Sequence, residues 1–139
     1  MNNKFTGFFK HNIVSVILVA FFLALSIRMF LGHSERINSL QGKVLFTISK
    51  ITFLEQGKGG PWYNYSFVYL DKVYDSRIIL GELCKEPKDV QKSYIGKKYF
   101  IKFSIENPKY SELYLDKPVP ENFDYREGEN WKKIPVNYK

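Results

Sequence analysis

Two apolar patterns divide the chain. From Ile13 to Ile27 the residues read IVSVILVAFFLALSI, with no charge, Pro or Gly. Wound as a helix, this run is apolar on every face rather than along one stripe. At 1.5 Å per residue it spans about 22 Å, short of the ~30 Å hydrocarbon core of a bilayer. Its flanks supply the difference: Lys10 and His11 precede it, and Arg28-Met29-Phe30-Leu31 follow. Arg28 can lay its methylenes along the helix and hold its guanidinium at the interface, which predicts a membrane span over residues 12–31. Phe5, Phe8 and Phe9 are placed for headgroup level beside Lys4 and Lys10. A cleaved signal peptide also begins with a basic stretch and a short apolar run. However, Arg28 sits where cleavage would be prepared, so a retained anchor is expected.

After the polar segment His33 to Leu40 the period drops to two. Gly42 to Glu55 (GKVLFTISKITFLE) is rich in β-branched and aromatic residues and reads as a long first strand. Val44, Phe46 and Ile48 share one face, and Leu45, Thr47 and Ser49 the other. Ile51 and Phe53 continue the second set, so the inward face is expected to switch near Ser49 or Lys50 through a bulge or bend. Gly57-Lys58-Gly59-Gly60-Pro61 is a turn; no helix and no Lys-Ser/Thr ending follow it, so it is not a phosphate loop. Trp62 to Leu70 alternates, with Tyr63, Tyr65, Phe67 and Tyr69 on one face. Asp71-Lys72 is expected as the tip of a hairpin returning over Val73 to Leu80. Pro87 suits the first turn of a short helix within residues 82–94, closed by Gly96. Lys97 to Ile105 and Ser111 to Leu115 are two more strands, separated by a turn at Asn107-Pro108.

The expected architecture is mainly β with one N-terminal transmembrane helix. The domain is a small five-stranded barrel or a strongly bent antiparallel sheet with one short helix. Its parts are an N-terminal tail (1–11), the span (12–31), a linker that can continue the helix (32–41), the β-rich domain (42–117) and an extended or loosely docked tail (118–139).

Composition narrows the setting. Aromatic residues make up 17% of the chain, which favours strands, and the net charge is +7. The first forty residues hold four basic groups and one acid, so +3 lies there and +4 beyond. A spread-out excess of this kind suits anionic lipid surfaces. Lys4, Lys10 and the α-amine precede the span, and Arg28, Arg36 and Lys43 follow it, so the positive-inside count is nearly balanced. A short tail before a first apolar segment usually stays in the cytoplasm. That places the domain on the outer, periplasmic side of the cytoplasmic membrane.

The order of features resembles a group of small uncharacterised bacterial membrane-anchored proteins of Bacteroidetes-like genomes. The likeness rests on a Gly-initiated long strand, a Tyr-x-Tyr-x-Phe-x-Tyr strand, and a Gly-Lys-Lys-Tyr strand running into Asn-Pro-x-x-Ser. Here the last segment is Lys102-Phe103-Ser104-Ile105-Glu106-Asn107-Pro108-Lys109-Tyr110-Ser111-Glu112-Leu113. The resemblance covers roughly Gly42 to Pro118. It implies a fold and a topology and no activity.

Candidate chemistry is sparse. The two histidines, His11 and His33, flank the span on opposite sides and cannot join one site. That removes most nucleophile–base pairs and most zinc sites. Cys84, the one cysteine, sits near Lys85 and Lys88, whose charges would favour a thiolate; a small half-buried apolar residue explains it better. Asp71, Asp75, Glu82 and Glu86 match no ligand spacing and read as solvated turn charges. Lys85, Lys88, Lys92, Lys97, Lys98 and Lys102 interleave with Tyr94, Tyr99 and Phe100, a mixture an OB-like single-strand binder would use. Glu82, Glu86 and Asp89 dilute that charge, so a solvated or headgroup-facing surface is expected and nucleic acid is not. The Tyr63, Tyr65, Phe67, Tyr69 stripe is expected in the core; Tyr63, Tyr65 and Tyr69, with Lys92, Lys97 and Lys98, are the alternative candidates for an interaction surface.

No catalytic residue, metal or cofactor is expected. The partners expected are the bilayer, flanked by Lys10, His11 and Arg28, and another envelope protein. The leading reading is a non-enzymatic binding or structural role at the cell envelope. A protective protein acting on one cognate toxin or enzyme is the alternative.

Overall fold

The computed structural model describes residues 3–57, 60–79, 81 and 83–136; the side chains of residues 3–12 and of Cys84 lie outside the described ones. The chain divides into two compact units, Met1–Asn38 and Ser39–Lys139.

One helix, α1, covers Asn3–Gln41. Its 39 residues correspond to about 58 Å at 1.5 Å per residue. The segment 32–41 therefore continues the helix rather than linking two elements. Within the apolar run the hydroxyl of Ser26 donates to the carbonyl of Phe22, 2.9 Å away. That internal bond satisfies the polar group within the helix itself.

The second unit holds a five-stranded antiparallel sheet in the order β3-β2-β1-β4-β5. The strands are β1 (Val44–Gly57), β2 (Gly60–Tyr69), β3 (Lys72–Ile79), β4 (Lys98–Ser104) and β5 (Ser111–Pro118). A 3-10 turn (Leu83–Lys85) and the short helix α2 (Lys88–Lys92), with Pro87 as its N-cap, join β3 to β4. Between β2 and β3 the two-residue tip is Leu70-Asp71, one position earlier than expected, and both residues take positive φ (49° and 58°). That is the type I′ geometry whose twist matches the flanking strands.

β1 organises the sheet by pairing twice. Its first half, Val44 to Lys50, lies against β4; its second half, Lys50 to Gly57, lies against β2. Lys50 is the pivot, opposite Ser66 on one side and Lys98 on the other. The inward face does not switch at Ser49 or Lys50. Thr47, Ser49 and Ile51 all face the core, and the irregularity falls between Ile51 and Phe53. One extra residue there reverses the alternation, so Leu54 packs on the core while Phe53 is 54% exposed.

The concave face curls onto itself. Ile51, Tyr63, Tyr65, Phe67, Tyr99, Ile101, Phe103 and Leu113 form one buried cluster. The rings of Phe67 and Tyr69 reach Phe103 at 5.3 and 4.8 Å between centroids. Tyr65 and Ser111 share a hydroxyl hydrogen bond of 2.9 Å, which joins β2 to β5 across two intervening strands. No ladder joins β3 to β5 among the described residues, so the structure is a strongly bent sheet rather than a closed barrel.

The convex face is covered by the C-terminal segment. Phe46 and Trp131 exchange both main-chain hydrogen bonds, each 2.8 Å. Phe123 and Trp131 stack edge-on over Phe100, which is fully buried. Residues 119–136 are thus not a loose tail; they form an irregular second layer of the domain.

Candidate functional site

Tyr63 and Tyr65 belong to the core, at 0 and 1% exposure, and their hydroxyls are engaged inside it. Tyr63 donates to the carbonyl of Gln91 at 3.2 Å, and Tyr65 pairs with Ser111. Tyr69 packs on Phe103. These tyrosines therefore do not form an outer interaction surface. Their alternation placed all of them on one face, and burial decides which side of the sheet that face is.

The candidate lysines are exposed but do not share one patch. Lys92 lies on α2. Lys97 leans on Tyr94, with Nζ 5.0 Å from the ring centroid, whereas Lys98 lies 5.2 Å over Tyr125, a residue of the C-terminal segment. Lys102 is paired with Glu112 of β5 at 2.8 Å. Arg28 and His33 are exposed on α1; the side chains of Lys10, His11 and Cys84 lie outside the described residues. Among the described residues no cluster of His, Cys, Asp or Glu is arranged to hold a metal ion.

Sequence reasoning missed two polar features. The first is Gln91, buried on α2. Its amide nitrogen donates to the carbonyls of Leu83 (3.1 Å) and Glu86 (2.8 Å), and its amide oxygen accepts from Gln56 (3.2 Å). With Tyr63 bound to its own carbonyl, Gln91 ties the 3-10 turn, α2, β1 and β2 together. A lone glutamine in a polar segment gives no signal of such a role.

The second is a cleft of about 510 Å³ on the convex face, where β2 turns away from β1. Ser66, Lys50 and Lys98 cross its floor in one row on β2, β1 and β4. Ile48, Val68 and Val73 give it apolar walls, and Tyr125, Glu127 and Gly128 close one side. Thr47 and Ser49 also line it, but their hydroxyls are committed to the carbonyls of Glu129 (2.7 Å) and Tyr99 (3.4 Å). The side-chain hydrogen bond to Tyr125, with a smaller electrostatic contribution from Glu127, holds the Lys98 ammonium above its ordinary pKa.

Two details make the cleft unusual. Lys50 and Lys98 are direct cross-strand neighbours, a pairing of like charges. In addition, Phe46, Ile48 and Lys50 present their main-chain groups to the same edge of β1. Phe46 bonds Trp131 and Lys50 lies opposite Ser66, but Ile48 between them, which pairs with Phe100 on the β4 side, has no ladder partner on this edge among the described residues. Its N–H and C=O point into the cleft.

No protein-family model, curated protein or solved structure matches this chain.

Proposed function

We propose that this chain is a single-pass membrane protein whose β-domain serves as a non-enzymatic binding module at the cell envelope. The observation that carries the reading is the surface of α1. Every large apolar side chain from Ile13 to Leu31 that is exposed lies between 42 and 77% accessible, and none of the candidate span is buried. Removing this many leucine, isoleucine, valine and phenylalanine side chains from water is worth about 1.5–3 kcal/mol each, which a bilayer supplies. Arg28 follows the uncharged run and marks its interfacial end.

The binding role is supported by the sheet. β3 and β5 each pair on one side, leaving edges that a partner strand can extend. The partner expected is another envelope protein, met on the periplasmic side. Washing membranes at alkaline pH tests the anchor, and the intact mass of the retained chain tests whether the N-terminal helix stays attached. A reporter fused after Lys139 reads the side. Pull-down from detergent-solubilised membranes that repeatedly recovers no partner counts against the binding role.

A further inference from the structure

We infer that the convex cleft between β1 and β2 binds a phosphate group, held by Lys50, Lys98, Ser66, Tyr125 and the main-chain N–H of Ile48. This deepens the reading of the β-domain as a binding module and does not depend on the anchor.

Cross-strand neighbours lie about 4.5–5.5 Å apart at Cβ, so Lys50 and Lys98 rise from one place on the sheet and both ammonium groups can reach one bound anion. Sheets ordinarily place opposite charges across from one another, as Lys102 and Glu112 do two positions along the same face. Lys50 and Lys98 instead stand together along the floor of a cavity large enough for a small oxyanion. The unpaired N–H of Ile48 points to the same space, and Ser66 sits opposite Lys50 with its hydroxyl bonded to nothing among the described residues. Two cations, an N–H and two hydroxyls form the donor set that a phosphate group requires. Glu127 lies at the side of the cleft and is exposed, so it can turn to solvent as an anion enters. Val68 and Val73 leave an apolar wall for the carbon chain of a phosphate ester.

Such a group comes from a free phosphate ester or from a lipid headgroup, and the two are separable. The full chain is placed in phosphatidylcholine nanodiscs and titrated with inorganic phosphate at constant ionic strength. The amide resonances of Ile48, Lys50 and Ser66 and the melting temperature are followed. A free-phosphate source predicts a saturable shift at Ile48 and a rise in melting temperature that chloride does not reproduce. A headgroup source predicts the same Ile48 shift without added phosphate when phosphatidylglycerol replaces part of the lipid. In both cases the double variant Lys50→Gln/Lys98→Gln weakens the response at least tenfold. The free variant melts close to the parent, because both lysines are exposed. The inference is overturned if Ile48 responds in neither arm, if the variant responds like the parent, or if the free variant is less stable, which would make the lysines structural. None of these outcomes bears on alkaline extraction, so failure here is distinct from failure of the anchor.

Discussion

The two units use the same apolar vocabulary in opposite senses. In α1 the apolar side chains point outward on all sides and the Ser26 hydroxyl bonds back to its own helix. In the β-domain Ile, Phe and Tyr turn inward, and lysines and acids face water. Residue type alone does not tell the two apart. The period of the pattern does: one run is apolar on every face of the helix, the other at every second position. The contrast separates a helix long and apolar enough to cross a membrane from a domain folded around its own core, so perturbations should act by different rules in each.

The largest contrast is between two aromatic truncations. Trp131→Ala removes the ring over Phe100 and weakens the Phe46 bridge, and should cost about 3 kcal/mol in denaturant unfolding of the domain. Phe22→Ala, in the exposed face of α1, should change that unfolding by less than about 0.5 kcal/mol. Equal losses would mean that the units are not independent.

Gln91→Leu comes next. It keeps the volume but strips two carbonyls and Gln56 of their partner, and should destabilise the domain by roughly 1–3 kcal/mol. Smaller, and of opposite sign, is the hairpin. Leu70 is an exposed leucine held at φ 49°, a conformation in which its Cβ is crowded. Leu70→Asn should stabilise by about 1 kcal/mol, read as a higher denaturant midpoint.

The smallest effect is alkaline. Burial raises Tyr99 and Tyr114 above their ordinary 10.0, and Glu112 raises Lys102 above 10.5. A raised folded-state pKa means that the folded domain holds the proton more tightly. Its contribution is complete below the unfolded value and is lost as pH rises through the folded one. Melting temperature should therefore decline above about pH 10. The decline should be gentler in Glu112→Gln, because the ion pair with Lys102 is then absent at every pH.

Much of this was legible in the chain, and the gaps have physical reasons. Alternation in Tyr63, Tyr65, Phe67 and Tyr69 and in Tyr99, Ile101 and Phe103 marked the core face of β2 and β4. The bulge in β1 was misplaced because Phe53 and Leu54 are both apolar, so the pattern does not say which one turns inward. The covering layer was missed because Phe123, Tyr125 and Trp131 lie among Pro, Gly and charges with no period. Lys50 and Lys98 are far apart in sequence, and only the β1–β4 register makes them neighbours.

The most direct measurement is alkaline extraction of membranes carrying the full chain, beside the variant Val19→Asp/Leu23→Asp. Each aspartate at the centre of a span costs about 2.5–3.5 kcal/mol of insertion. The parent should stay in the membrane pellet at full mass, and the variant should move to the soluble fraction with its β-domain still folded. A parent chain released by the alkaline wash, or recovered without its N-terminal helix, would contradict the assignment of α1 as a membrane anchor.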